Sequence, residues 1–295
     1  MKAPASVAAR AGAVLAAAAL ALWAATAEAA PGDPLNRAYW LGPKTFEETF
    51  NRPTLDLSRW TLNFWYGDQN GVSSRIYGDG GFQIFSSPAY NGVNPFYIVN
   101  SQLVIRADRT DDPTNPLNGQ LPYTSGMITT FNSFSQQYGY FEAEIRADEA
   151  PGMWPAFWLL GADVPKDRNM EVDVVEALGT TPRTVYQTTH YTLEGRRPDK
   201  RMYPTSGVNW AQNHTYGVLI TPSLLIFYVD DKETYREANA GRFNMPMYMI
   251  LSLGIGPSFW NNNVPSPDFH GGKMIVTFVR AYALKPMVQQ KQAAR

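Results

Sequence analysis

An all-β chain folded as an antiparallel sandwich or barrel is the architecture this sequence predicts, and three observations predict it. Most periodic segments repeat every two residues, turn clusters separate them, and beyond the N-terminal leader no apolar stripe runs at helical spacing. Short strands at close intervals, without helices between them, pack as two layers or a closed sheet. A hydrophobic fraction of 44% supplies a core and excludes a disordered chain.

The elements follow in chain order. Lys2 and Arg10 precede or open an apolar run, Ala11 to Ala27, that ends in the small-residue site Ala27-Glu28-Ala29. This is the layout of a secretory signal peptide, so residues 1–29 are expected to be cleaved and the mature chain secreted or periplasmic. A membrane anchor is the competing reading. The Ala-rich run and the immediate Pro31-Gly32-Asp33-Pro34 favour cleavage, after which no membrane contact is expected. Residues 30–45 read as an N-terminal extension, 46–285 as one folded domain and 286–295 as a C-terminal tail. Within the domain, Gln102–Ala107, Gly126–Phe131, Gly139–Arg146 and Thr184–Tyr191 are predicted strands. Tyr216–Thr221, Leu224–Asp230, Met247–Gly254 and Lys273–Tyr282 complete the set, all rich in β-branched and aromatic residues. Pro113-Thr114-Asn115-Pro116 and Asp230-Asp231 mark turns between them. No internal repeat, linker or charge block divides the chain, and a monomer is expected.

Charge and composition narrow the chemistry. Lys and Arg number 25 against 26 Asp and Glu, and no basic block occurs, which argues against nucleic acid as a partner. The absence of Cys excludes disulfides, thiolate metal sites and a Cys nucleophile. Three His residues make a His-rich metal centre a poor expectation.

The informative segment is Met170-Glu171-Val172-Asp173-Val174-Val175-Glu176-Ala177-Leu178. In a regular strand Glu171, Asp173 and Val175 share one face, and Glu176 falls on the other with Val172 and Val174. That would press an unpaired carboxylate into the apolar side, which is costly. One extra residue, a β-bulge between Asp173 and Glu176, shifts the phase and projects all three acids from one face. A solvated acidic edge strand is the alternative, but the flanking Val, Met, Ala and Leu mark a central strand. Three like charges together are poor for stability, because they raise one another's pKa. Glycoside hydrolysis has a use for them, since it needs one ionised and one protonated carboxyl flanking the bond. With the bulge, the Cα atoms of Glu171 and Glu176 stand about four strand steps apart, roughly 13 Å. Side chains leaning together could reach the ~5–5.5 Å of retaining enzymes, and the wider inverting spacing stays open. Asp173 between them can share a proton and separate the two pKa values.

Upstream, Gly152-Met153-Trp154-Pro155-Ala156-Phe157-Trp158-Leu159-Leu160 places Trp154, Ala156 and Trp158 on one face. Indoles offer flat apolar surface to the C–H faces of sugars. Two Trp beside a triple-acid strand therefore read as a sugar platform, with packing in the core as the alternative.

Residues 171–176, E-V-D-V-V-E, resemble the E-x-D-x-x-E signature of glycoside hydrolase family 16, and Trp154-Pro155-Ala156-Phe157-Trp158 is similar to that family's W-P-A-x-W run. Tyr123-Thr124-Ser125-Gly126, Tyr138-Gly139-Tyr140-Phe141-Glu142, His190-Tyr191, Tyr228-Val229-Asp230-Asp231 and Phe278-Val279-Arg280-Ala281-Tyr282 extend the resemblance from about Phe46 to Tyr282. It implies a β-jelly-roll sandwich with a concave cleft, and endo-acting, retaining hydrolysis of a polysaccharide. Matched residue by residue, Glu171 is the nucleophile, Asp173 the assisting carboxylate and Glu176 the general acid/base. Trp154 and Trp158 match positions lining the glycone subsites, His190 a cleft histidine, and Trp260 a loop tryptophan at the cleft end. Two departures stand out. Thr277 occupies the place where many members carry a calcium-binding Asp, so no metal site is expected beyond a weak structural calcium helped by Glu47 or Glu48. The stretch from Leu159 to Met170 is short where many laminarinases carry a longer insertion, and with the pattern from Asn169 to Gly179 the chain resembles bacterial members acting on exopolysaccharides such as succinoglycan. The sequence reading is thus a secreted endo-β-glycanase for β-1,3- or mixed β-1,3-1,4-linked glucan, or for a β-glucan-containing exopolysaccharide. Transglycosylation by the same residues, a non-catalytic carbohydrate-binding protein and an adhesive surface protein are the alternatives.

Overall fold

The structure, a computed structural model, describes residues 40–64, 75–76, 80–110, 114, 116–162, 169–192 and 199–286. The expected signal peptide, most of the extension and most of the tail lie outside the described residues. The strands are β1 (Leu41–Glu48), β2 (Gln83–Phe85), β3 (Phe96–Val99), β4 (Gln102–Arg109), β5 (Tyr123–Ser125), β6 (Met127–Thr129), β7 (Gly139–Ala147) and β8 (Met153–Gly161). They continue as β9 (Asn169–Ala177), β10 (Thr184–Thr192), β11 (Asp199–Ser206), β12 (His214–Ile220), β13 (Leu224–Val229), β14 (Lys232–Ala238), β15 (Met247–Ile255) and β16 (Gly271–Leu284). A single short α-helix, α1 (Pro88–Asn91), interrupts them among the described residues. No helix among these residues is long and apolar enough to cross a membrane.

Two sheets result, as the two-residue periodicity predicts. One runs β14-β13-β12-β7-β16-β4-β5-β2, with β1 added on β16 and β3 on β4. The other runs β11-β10-β9-β8-β15-β6. All pairings are antiparallel except that of β2 with β5. The core lies between the sheets, where Phe141, Ile145, Val218, Phe227 and Val276 meet Phe157, Leu159, Val172, Val185 and Leu251. The chain passes from the first sheet to the second at Gly126, which separates β5 from β6. A Cβ there would stand 2.7 Å from the Phe96 ring and 2.8 Å from Ile105, so the crossing needs glycine.

Every strand expected from the sequence is present, with Gly126–Phe131 shortened to β6. Strands β1, β2, β3, β11 and β14 carry weaker patterns. β1 starts at Leu41, inside the stretch 30–45 read as an extension, and adds to β16. β11 and β14 are edge strands, and edges tolerate the Pro204 and the charges that hide their periodicity. At that side the sheets are tied by a buried acid. Glu237 of β14 accepts from Thr189 of β10 at 2.9 Å and from Arg201 of β11 at 2.9 Å, and Arg242 lies 2.8 Å away.

Candidate active site

The second sheet has one face in the core and one open, and β9 decides which side chains reach the open one. Val172, Val174, Val175 and Ala177 all pack into the core. Two neighbours on one face break the alternation, and the pairing records the break. Trp158 opposes Asp173 while Phe157 opposes Val175; on the other flank Thr188 opposes Asp173 and Tyr186 opposes Glu176. Val174 is the extra residue of a β-bulge, where the acid spacing requires one. The buried Gln187 of β10 fastens it, donating from Nε2 to the Val174 carbonyl at 3.1 Å and accepting from the Thr234 hydroxyl. Glu171, Asp173 and Glu176 consequently share the face opposite the core.

Each acid has a distinct environment. Glu171 is half-buried, whereas Asp173 and Glu176 are 4% and 8% exposed. His190 stands opposite Glu171 on β10. Its Nε2 lies 3.4 Å from Glu171 Oε1 and 3.1 Å from Asp173 Oδ2, the latter close but out of hydrogen-bond alignment. Trp154 donates its indole N–H to Glu176 Oε1 at 2.9 Å. Burial pushes Asp173 up to about 7, against the pull of Lys200. Burial, reinforced by the charges of Asp173 and Glu171, holds Glu176 well above the usual carboxylate range; the Trp154 bond and His190 oppose the shift without cancelling it.

The aromatic residues divide. Trp154 is half-buried and meets Trp260 at a right angle, ring centres 6.4 Å apart. Trp260 in turn packs its face or edge on Tyr186 at 4.9 Å and carries Lys200 Nζ 5.5 Å from its ring centre. A turn holds it there. Asn261 and Asn262 adopt positive φ, and the buried Asn263 accepts from Gly152 N–H and donates to the Met153 carbonyl, both at 3.0 Å. Trp158 is 7% exposed instead, its indole N–H on Ser252 Oγ at 3.1 Å and its ring against Phe64 at 5.8 Å. The structure thus brings Glu171, Asp173, Glu176, Trp154, His190 and Trp260 together on the open face. Trp158 lies beside them in a buried apolar cluster with Phe64, Phe85 and Tyr248. Sequence reasoning missed Tyr186, Lys200, Gln187 and Asn263. Tyr186 was within reach, since its two-residue spacing to Thr188 and His190 puts it on their face; the others need the pairing of distant strands.

One group of described residues has metal-ligand spacing. Single ligand atoms of Glu171, Asp173 and His190 lie within 4.8 Å of one another. An ion there would neutralise the carboxylates that glycoside chemistry uses. At the position considered for calcium the side chains already have protein partners. Thr277 Oγ1 accepts from Gln102 Nε2 at 3.1 Å. Glu48 accepts the backbone N–H groups of Thr49 and Phe50 and, at 3.4 Å, the Trp60 indole. Glu47 pairs with Lys44 at 2.5 Å and Arg280 at 3.0 Å.

The sequence profile described as Glycosyl hydrolases family 16 matches residues 88–280. The chain is 34% identical over 253 residues to Endo-1,3-1,4-beta-glycanase ExsH of Rhizobium meliloti (strain 1021), covering 82% of this chain and 52% of that protein. Endo-1,3-1,4-beta-glycanase EglC of the same strain is 34% identical over 254 residues, with the same coverage. The chain therefore spans about half the length of these curated relatives. Among solved structures, the endo-beta-1,3-glucanase from Pyrococcus furiosus superposes with a TM-score of 0.69 at 27% identity, over 83% of this chain and 95% of that one.

Proposed function

The chain belongs to glycosyl hydrolase family 16, and from that premise we propose that it is an exported, retaining endo-β-glycanase. Its substrate in this reading is a β-1,3- or mixed β-1,3-1,4-linked glucan, or an exopolysaccharide containing such linkages. The names of the rhizobial relatives and of the archaeal structure support that class. The observation that carries the reading is the bulged strand, which turns three acids to one open face and raises the pKa of Glu176 among them.

In the proposed mechanism Glu171 attacks the anomeric carbon while Glu176 protonates the departing glycosidic oxygen. Trp154 donates to Oε1 of Glu176, so the acid's proton belongs on Oε2. After the leaving sugar departs, Glu176 takes a proton from water, and the hydroxide oxygen displaces Glu171 from the anomeric carbon. Asp173 and His190, beside Glu171, modulate its charge between the two steps. A sugar hydroxyl in place of water would give transglycosylation. Trp154, Trp260 and His190 are the proposed sugar contacts. Cleavage after the signal peptide, a monomeric mature enzyme and no requirement for calcium complete the proposal, the last because the nearby side chains are committed elsewhere.

Product analysis on laminarin, lichenan, succinoglycan, agarose and carrageenan tests the substrate class, and NMR of the first products tests the stereochemistry. The expected outcome is oligosaccharide release from one of the first three with the β-configuration kept. An initial α-product would mean inversion and would remove Glu171 from the nucleophile's role.

A further inference from the structure

Arg75 is a buried cation with no counter-charge among the described residues. It is 6% exposed, and no described carboxylate pairs with it. Its Nη1 donates to the Phe85 carbonyl at 2.9 Å and, weakly, to the Leu62 carbonyl at 3.4 Å. Nε is buried without an acceptor, and neither carbonyl bond uses Nη2. Buried charges are ordinarily paired, because desolvating an unpaired one is expensive. Burial already depresses this guanidinium's pKa. The edge left open is the Nε/Nη2 fork, whose two parallel N–H groups match the two oxygens of a carboxylate.

The surroundings are built to hold that fork in one place. The Tyr90 ring lies 4.1 Å beneath the guanidinium carbon and fixes its plane. The backbone of Arg75 is itself tied down, its carbonyl accepting from Phe85 N–H at 2.8 Å. Beside the fork is a pocket of about 250 Å³, lined by Arg75, Ala89, Tyr90 and Leu117. A buried apolar path leads from this pocket toward the acids, starting at Phe85, whose carbonyl Arg75 holds. Phe85 packs against Phe64, and Phe64 against Trp158, in the apolar cluster next to the acids.

We propose that this pocket receives a carboxylate carried by a sugar unit of the glycan that lies across the open face, and that Arg75 makes the protein prefer acidic over neutral glycans. The inference rests on the glycanase reading and sharpens it, since a neutral glucan alone would leave the fork empty.

The test compares laminarin with the same laminarin partly oxidised to uronic acid at C6, using wild type, Arg75→Met and Arg75→Lys. Arg75→Met should lower the ratio of kcat/KM on the oxidised polymer to that on the parent by about tenfold or more, with the loss in KM and not in kcat. Arg75→Lys should recover part of it. The ratio cancels any loss of folded protein, so an unchanged ratio in Arg75→Met overturns the proposal. Should Arg75→Met fail to fold, wild-type melting with glucuronate, inorganic phosphate and chloride at equal ionic strength decides the question. Stabilisation by glucuronate beyond both others supports the carboxylate fork, and equal stabilisation by phosphate overturns it. A wild type that cleaves neither polymer, nor lichenan nor succinoglycan, refutes the glycanase reading, while the glucuronate melting result still reports on the pocket.

Discussion

Glu176 holds a proton at a pH where a solvated glutamate has lost it, and that has a measurable cost. Its native pKa is raised by burial and by Asp173, so in the window above the unfolded value of about 4.3 the native state binds the extra proton. Stability contributed by this group is therefore present at low pH and lost as pH rises through that window. Glu176→Gln keeps the shape and the acceptor for Trp154 while removing the titration. It should melt close to wild type near pH 4 and on the order of 1–2 kcal/mol more stably at pH 8, a gain of about 2–8 °C by calorimetry. A wild type that gains stability against this variant as pH rises would contradict the shift. The same substitution should lower turnover of unactivated polymer by about 10²–10⁴-fold, and wild-type activity should fall on the alkaline side as Glu176 ionises. Glu171→Ala should abolish turnover without loss of melting temperature. At this scale the sequence was legible: three acids at an irregular spacing in an apolar strand have few structural uses. Lys200 was not legible as a partner, because it reaches the acids only through strand pairing.

The bulge in β9 is the element that converts a strand into a candidate catalytic surface. Without its extra residue Val174, Glu176 would point into the core and Val175 out of it. Gln187 is what the bulge costs elsewhere: a fully buried amide whose Nε2 serves the Val174 carbonyl. Gln187→Leu should strand that carbonyl and destabilise the protein by about 1–3 kcal/mol. Because β9 relaxes locally, kcat should fall several-fold more than the folded fraction, read by melting and initial rates on one preparation. A stability loss with full specific activity would assign Gln187 to packing alone. The existence of the bulge could be deduced from the sequence, since regular alternation demanded a buried carboxylate. Its clamp could not, because Gln187 looks like any polar residue in a half-exposed strand until β10 is known to lie against β9.

At the scale of the whole molecule, the two sheets enclose one core, and β1 and β16 share a long edge beside the position weighed for calcium. Glu47, Glu48 and Thr277 each already have protein partners there, so removing divalent ions should leave the melting temperature within about 1–2 °C. A large drop with EDTA, reversed by calcium, would place an ion on the fold after all. The sequence by itself determined the all-β class, most of the strands and the common face of the three acids. Those follow from local physics: a period of two, glycine and proline at turns, and the penalty on a buried charge. Tertiary structure alone decided that Trp158 is covered by Phe64 while Trp154 and Trp260 stand at the open face, that Lys200 acts on Asp173, and that Arg75 is buried with no described acid beside it. Each of these depends on which distant strands lie side by side, and pairing between remote segments is set by the closing of the whole sandwich rather than by any stretch of residues within it.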